Sequence, residues 1–342
     1  MKAQVLTKHG DYDVLKYTDF PLREINKNEV LIKVSSCSIN NTDIWTRIGL
    51  YSKDDDAAWE ELKFPLIQGA DIVGTVVKGS KLLNKKVIVY PVINNDPNEI
   101  RNITDCTYVG SGINGGYAEY CIVPQENIYE IPDTCELNDF ELACIPTAYM
   151  TAYYMIHRAQ IKSTDTCIIT GASGGVGLAL IQLLKLKNIK TIGICSSNKS
   201  NILINEGLTN CVDRTNKTSK NIYKELLDKN DNKLYDVVFD VVAGDLTEHL
   251  LELLKNNGNY VCSGAIGGRS VNIHWPTFYL KHLNLYGSML CTRSQFEELL
   301  QLVFSNKIKP KVDKIFKLEN LIEAQKTFDK KKFIGKIVLD CN

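Results

Sequence analysis

Residues 166–199 constrain the fold of this chain more than any other stretch. An apolar run, Thr166-Cys167-Ile168-Ile169-Thr170, leads into Gly171-Ala172-Ser173-Gly174-Gly175-Val176-Gly177. A helical run over 178–187 follows, apolar at Leu178, Ile181 and Leu184, and a second apolar run over 191–195 closes the unit. Strand, glycine turn, helix and strand within about thirty residues make one βαβ unit. Gly174 and Gly175 let the backbone approach a pyrophosphate with no Cβ in the way, and Gly177 lets the helix lie close on the sheet. The helix N-terminus adds amide donors and positive potential for the phosphates. Ala172 stands where the usual G-x-G-x-x-G pattern has its first glycine. The strand–helix context therefore carries the assignment of a dinucleotide site, rather than the glycines alone.

The end of the second strand separates the two nicotinamide cofactors. An NAD site usually carries an Asp or Glu there for the ribose hydroxyls. This chain has Cys195-Ser196-Ser197-Asn198-Lys199, and no acidic residue over 172–205. Hydroxyls and an ammonium donate hydrogen bonds and positive charge to a 2′-phosphate. Ser196, Ser197 and Lys199 thus predict NADP(H) over NAD(H). The alternative is a solvated Lys199 and a site indifferent to the phosphate.

A length of 342 residues, 44% hydrophobic and 23% charged, suits a globular chain of two domains. The 40 basic and 40 acidic side chains cancel, which gives no electrostatic case for nucleic acid or an anionic membrane as partner. The chain opens at 1–6 as an alternating strand with no apolar signal core, and no run approaches the roughly 18 apolar residues of a spanning helix. The 11 cysteines are scattered, with no C-x-x-C pair. Free thiols in that number suit a reducing compartment, so a cytoplasmic protein is expected.

Residues 1–130 read as short β-like runs separated by polar turns, the pattern of a β-rich, barrel-like domain. An acidic stretch over 51–63 and a polar one over 94–113 read as loops. Asn138, with Glu141 three residues on, starts a helix. Pro146 interrupts, and a helix over 147–159 leads into the glycine unit. Helical and strand patterns then alternate to residue 288, as expected of a doubly wound parallel sheet of about six strands. Helices over 294–304 and near 318–328 follow, and the closing strand 336–339 returns to the first domain.

In this order the segments resemble the medium-chain dehydrogenase/reductase superfamily over essentially the whole chain. Within it the chain is similar to the zinc-free quinone oxidoreductase branch. The resemblance rests on Ala172-Ser173-Gly174-Gly175-Val176-Gly177 and on Asn40-Asn41-Thr42-Asp43-Ile44-Trp45-Thr46-Arg47-Ile48-Gly49. It rests also on Gln68-Gly69-Ala70-Asp71-Ile72-Val73-Gly74 and on Gly115-Gly116-Tyr117-Ala118-Glu119-Tyr120. It implies an α/β protein: a Rossmann doubly wound parallel sheet plus a GroES-like β-rich catalytic domain. The GroES-like domain is expected over 1–147 and 295–342, and the Rossmann domain over 148–294. The cofactor is expected against Thr151, Ala172, Ser173, Gly174, Gly175, Val176 and Gly177. Val241 and Val242 after the fourth strand, Gly264 and Ala265 after the next, and Lys336 complete the expected cofactor contacts.

The same resemblance puts the first zinc-ligand position at Asn40, the second at Ala70 and the third, by spacing, at Thr147. Neutral Asn and Thr are poor zinc ligands and Ala is none. The four-cysteine structural lobe of the zinc enzymes is reduced to Cys106 between Pro91 and Gly116. Asp71 and Asp43 remain as oxygen donors, too few for zinc, so no metal is expected. A quinone or conjugated carbonyl accepts hydride without a Lewis acid, because the charge delocalises onto oxygen. An alcohol–ketone couple needs stronger stabilisation of the alkoxide. The expectation is an NADPH-dependent oxidoreductase transferring hydride to a quinone or α,β-unsaturated carbonyl. Asn40, Asp43 and Trp45 are the catalytic candidates. Asn40 would donate to the developing oxyanion, and is equally well explained as a turn-fixing asparagine. Trp45 stands where the quinone reductase pattern often has tyrosine, which replaces a hydroxyl donor with a wall for a flat substrate. The alternatives are a zinc-type alcohol dehydrogenase-like enzyme and a non-enzymatic NADPH-binding protein on the same fold. A homodimer paired through 283–288 would cover an exposed sheet edge.

Overall fold

The computed structural model describes residues 1–51, 62–94 and 106–342. The acidic side chains at 54–61 and most of the polar loop expected over 94–113 lie outside the described residues. The chain divides into two compact units, Met1–Ala148 with Thr292–Asn342, and Tyr149–Cys291.

The unit Tyr149–Cys291 is built on the βαβ motif. Strand Thr166–Ile169 is followed by helix Gly175–Lys185 and strand Lys190–Cys195. The helix starts earlier than the apolar run suggests. Gly174 takes an extended N-cap conformation, so the remaining glycines form the first turn themselves. A Cβ on Gly177 would lie 2.7 Å from the Cα of Ala172, which is why only glycine lets the helix seat there. The sheet runs, edge to edge, Asn210–Asp213, Lys190–Cys195, Thr166–Ile169, Tyr235–Asp240, Leu254–Cys262 and Asn284–Gly287. Every neighbouring pair is parallel. The order reverses at Thr166–Ile169, the switch point at which open α/β sheets bind ligands beyond their strand C-termini. Ile168, Ile192, Val238, Leu250 and Tyr260 form the core.

Helix Trp275–Leu280 has no counterpart in the sequence reading. It spans six residues, carries no buried side chain, and so lacks the apolar stripe that marks a helix in sequence.

The other unit holds a seven-stranded sheet, with Glu29–Ser38 and Asp71–Lys78 at its centre. Val30, Ile32 and Val34 alternate inward, as period-two burial requires. The closing strand Lys336–Asp340 pairs antiparallel with Glu29–Ser38, setting Val338 opposite Ser38. Strand Val312–Lys317 pairs parallel with the closing strand. Its sequence, VDKIFK, is exposed at Asp313, Lys314 and Ile315, so an edge strand there left little apolar signal. A π-helical turn, Ile145–Tyr149, precedes helix Met150–Ala159. The expected helix from Thr147 is thus widened at its start, where Pro146 lacks an N–H.

Candidate active site

Four segments of the first unit bring polar side chains to one buried point, the carboxylate of Asp71. Ser38 ends strand Glu29–Ser38, Asn40 precedes helix Asn41–Arg47, Thr147 lies in the π-helical turn, and Lys336 opens the closing strand. Asp71 is fully buried. Its Oδ1 accepts the Thr147 backbone N–H at 2.8 Å and the Thr147 hydroxyl at 2.5 Å. Its Oδ2 accepts the Ser38 hydroxyl at 2.5 Å and the Asn40 amide at 2.8 Å. The Lys336 ammonium stands 3.3 Å from the same oxygen. Lys336 also donates to Asn40 Oδ1 at 2.5 Å and to the Ile39 carbonyl at 2.9 Å. Its three N–H donors thus meet three acceptors, the condition for holding a buried charge.

This geometry fixes the Asn40 amide. An ammonium only donates and a carboxylate only accepts, so Oδ1 must face Lys336 and Nδ2 must face Asp71. One Nδ2–H is used by Asp71, and the second has no acceptor within reach among the described residues. The side chain is therefore an oriented donor as well as part of the reciprocal cap that Asn40 and Asp43 form at the start of helix Asn41–Arg47. The backbone N–H of Asn40 is taken by Asp43 Oδ2 at 2.7 Å.

Asp43 is held as firmly. The same Oδ2 accepts the Tyr117 hydroxyl at 2.7 Å. Burial pushes its carboxyl from 3.8 up to about 6, against the Tyr117 and Asn40 hydrogen bonds. A native pKa above the unfolded one means the folded protein binds the extra proton between the two. The stability Asp43 contributes is then largest below about pH 4 and is lost as pH rises through about 6. Asp43→Asn keeps an oxygen for both donors and removes the titration. We expect its melting temperature to lose this downward slope, worth about 3 kcal/mol for two pKa units. Thermal melts of both proteins between about pH 4 and pH 7 measure it; parallel profiles would refute it.

A cleft beside this cluster is lined by Thr42, Asp43, Thr46, Tyr51, Tyr108 and Ser111, among others. Tyr108 reaches Thr147 Oγ1 at 2.9 Å. The Thr147 proton is directed to Asp71, so the phenol donates. Trp45 is not among the cleft walls. It packs half-buried on the core, with its ring 5.7 Å from that of Tyr51. Sequence reasoning named Asn40, Asp43, Asp71, Thr147 and Lys336, but missed Ser38, Thr42 and Tyr108. Tyr108 follows a polar loop and Ser38 ends a strand, positions with no motif to single them out.

The donor set does not suit zinc. Asn40 and Thr147 bond to Asp71, and Ala70 precedes it in the chain, so the three expected ligand positions do converge. What converges is an amide, a hydroxyl, a methyl and a carboxylate already paired with an ammonium. Zinc sites take thiolate, imidazole or unpaired carboxylate. Among the described residues no group of three His, Cys, Asp or Glu could hold a metal ion.

In the other unit the expected cofactor residues gather at the strand C-termini. Cβ positions built on Gly171 would touch Val241 and Val242 at 2.9 and 3.1 Å. A Cβ on Gly264 would meet the Val241 carbonyl at 2.5 Å, so the two later turns lie together. Asp240 Oδ1 anchors the first of them by accepting the N–H groups of Val242 and Ala243, at 2.8 and 2.9 Å, and the Thr170 hydroxyl. Its Oδ2 accepts from Tyr260 at 2.5 Å. Beside Gly174 only the Gly171 carbonyl, at 3.4 Å, approaches a Cβ position, which leaves the room a phosphate needs. Ser173 is met by Lys199, buried at 5% exposure, whose Nζ lies 3.3 Å from Ser173 Oγ. Lys199 is thus not a solvated surface lysine. Ser196 directly follows strand Lys190–Cys195, Ser197 opens the turn Ser197–Lys199, and Gly175 and Val176 open the helix. Ala265 follows Gly264, and Thr151 is buried in helix Met150–Ala159, which packs on helix Gly175–Lys185. These residues fit a dinucleotide, with an open glycine turn at the strand C-termini and the buried Lys199 beside it. Lys336, expected at the cofactor, has its donors on Ile39, Asn40 and Asp71 in the first unit.

Comparison with known proteins agrees with this architecture. Residues 26–133 match the alcohol dehydrogenase GroES-like domain, and residues 175–305 the zinc-binding dehydrogenase family. A solved structure from Sinorhizobium meliloti 1021, provisionally assigned as an alcohol dehydrogenase, is 36% identical with a TM-score of 0.93. The match covers 99% of this chain and 96% of that one. An NAD-dependent alcohol dehydrogenase of Sulfolobus acidocaldarius is 27% identical over 99% of both chains. A quinone oxidoreductase-like protein 2 homolog of Nematostella vectensis is 27% identical over 94% of this chain and 84% of its own. With a six-stranded parallel nucleotide sheet, a GroES-like unit and a relative 36% identical along nearly its whole length, the chain belongs to the medium-chain dehydrogenase/reductase superfamily of oxidoreductases.

Proposed function

We propose that this protein is an NADPH-dependent reductase of quinones or α,β-unsaturated carbonyls that works without zinc. The observation that supports it most is the cluster around Asp71, where an oriented amide and a paired ammonium stand in place of a metal donor set. Bound NADPH supplies the hydride. The chain's own residues bind, orient and stabilise. Lys199, Ser173, Ser196 and the turn at 171–177 would hold the 2′-phosphate and pyrophosphate. The free Nδ2–H of Asn40 would donate to the oxygen on which charge develops. Lys336 acts as a positioning residue, because its donors are used in holding Asn40 and Asp71. The reading has a competitor, since relatives carry both names: an NAD-dependent alcohol dehydrogenase is 27% identical to this chain.

Cofactor titration separates the two. A charge-assisted contact is worth roughly 1.5–3 kcal/mol, or about one to two orders of magnitude in affinity. We expect NADPH to bind at least about tenfold tighter than NADH. Lys199→Ala should lose most of that preference and leave NADH binding nearly unchanged. Equal wild-type affinities would refute the preference. Turnover of secondary alcohols with NAD, and none of quinones or enones with NADPH, would favour the alcohol dehydrogenase reading.

We also propose a homodimer joined at the edge strand Asn284–Gly287. Leu285 on it is 38% exposed, and Trp275, Tyr279 and Leu280 on the same unit are exposed at 58–67%. Pairing with a second copy would cover an apolar edge that otherwise invites aggregation. We expect a solution mass twice the 38.4 kDa of the chain, falling to the monomer in Leu285→Pro. A monomeric wild type by sedimentation would refute the assembly.

A further inference from the structure

We propose that Cys195 and Cys211 form a reversible oxidation site that a hydroperoxide closes to a disulfide, and that closure weakens nucleotide binding at the adjoining strand end. The two sulfurs are 2.9 Å apart and both are free thiols. A disulfide needs about 2.05 Å, so roughly 0.9 Å of movement closes it. Neighbouring strands of the sheet set this distance. The parallel register puts Asp213 opposite Cys195 and Gly193 opposite Cys211. Both thiols therefore point to one face on adjacent strands, and Gly193 has no side chain to turn Cys211 away.

The pair is also poised chemically. The hydrogen bond from Cys211 lowers the Cys195 thiol to about 7 against the cost of burial, with help from Ser200. Cys211 is pushed up by the same bond and by burial, and keeps the proton. Thiolate is the form that attacks peroxide. The Cys195 sulfur attacks the peroxide, the O–O bond breaks, and sulfenic acid forms with release of an alcohol or water. The Cys211 sulfur then attacks the sulfenic sulfur, its proton leaves with the hydroxyl as water, and the S–S bond forms. In sum, two thiols lose two electrons and two protons, and one hydroperoxide is reduced to alcohol and water.

The consequence for the nucleotide rests on the reading of residues 196–199 as the 2′-phosphate site. Cys195 Sγ lies 3.2 Å from the Ser196 carbonyl and 3.7 Å from Ser200 Oγ. These residues flank the turn Ser197–Lys199. Drawing Cys195 toward Cys211 moves the turn that carries Lys199 to Ser173.

The test treats reduced, cofactor-free protein with one equivalent of hydrogen peroxide, followed by alkylation, digestion without reductant and mass spectrometry. The expected product is a cross-linked peptide pair holding Cys195 and Cys211, absent from Cys211→Ser and dissolved by dithiothreitol. The NADPH dissociation constant should rise about tenfold, the loss of one charge-assisted contact. It should recover with dithiothreitol and stay unchanged in peroxide-treated Cys211→Ser. Sulfinic acid at Cys195 with no cross-link would overturn the site. A cross-link with unaltered NADPH affinity would overturn the coupling to nucleotide binding. Reduced protein that binds NADH as tightly as NADPH would sink the 2′-phosphate reading instead, and the peptide map would still decide the oxidation site.

Discussion

Asp71→Ala is expected to lower the melting temperature of the unit Met1–Ala148 with Thr292–Asn342 by about 10 °C. The wild-type carboxylate accepts from Thr147 twice, from Ser38 and from Asn40, and pairs with Lys336. Truncation leaves the Lys336 ammonium at 4% exposure, with only two acceptors, Ile39 O and Asn40 Oδ1. Breaking a buried ion pair from one side costs about 3–5 kcal/mol, chiefly because the other charge stays buried. Lys336→Met is the milder change. It leaves Asp71 with its four hydrogen-bond donors, and the methionine keeps most of the lysine's apolar packing. The order Asp71→Ala worse than Lys336→Met distinguishes a buried charge network from ordinary core packing. The double variant Asp71→Leu/Lys336→Met should melt above Asp71→Ala, since it leaves no unpaired charge. Calorimetry on the four proteins measures this. An Asp71→Ala melt within 2 °C of wild type would mean that water reaches the cluster and solvates Lys336.

The legible parts of this chain are those where one local pattern forces one conformation. The glycine turn at 171–177 was readable because Gly177 has no space for a Cβ, and the helix it opens is buried along most of its length. Asn138 and Glu141 were readable as a reciprocal cap, and both hydrogen bonds are present. The return of the closing strand to the first domain is legible in its β-like pattern, but its place beside Glu29–Ser38 is not. Illegible were elements whose stability comes from their neighbours. The edge strand Val312–Lys317 and the exposed helix Trp275–Leu280 carry almost no apolar period. The polar cluster was half legible. Family spacing picked out Asn40, Ala70 and Thr147, with Asp71 left beside them as an oxygen donor, but not that Lys336 would cross from the C-terminus to join them. That contact spans 265 residues of sequence, and no periodicity reports a pairing at such a distance. The family resemblance placed Lys336 at the cofactor, and its donors are on Ile39, Asn40 and Asp71. The approach of Cys195 to Cys211 was invisible for a related reason. It depends on strand register, which the hydrophobic pattern of a short, half-buried edge strand beside a buried one leaves undefined.

The largest expected effect on catalysis is at Asn40. Asn40→Ala should lower kcat for quinone or enone reduction by about 100- to 1,000-fold, the usual cost of one preorganised oxyanion donor. NADPH affinity should be unchanged, because Asn40 bonds to Asp43, Asp71 and Lys336 and to none of the glycine-turn residues or Lys199 that would hold the nucleotide. Ala alone is an ambiguous test, since it also takes an acceptor from Lys336 and a donor from Asp71. Asn40→Asp resolves the ambiguity. Its Oδ1 still accepts from Lys336, so the ammonium stays paired. Its second oxygen faces Asp71 Oδ2, now 2.8 Å from the Asn40 nitrogen. Two carboxylates at that distance share a proton, which lies between them. Protonated or not, the aspartate has no hydrogen left for a substrate oxygen, and its charge opposes an oxyanion. A donor role therefore predicts that Asn40→Asp is as slow as Asn40→Ala or slower, while melting closer to wild type. A role confined to holding the cluster predicts the reverse order of rates, with activity following stability. Single-turnover rates with NADPH and a quinone, measured beside the melting temperatures of both variants, decide between them. Asn40→Asp turning over within threefold of wild type would remove Asn40 from the chemistry.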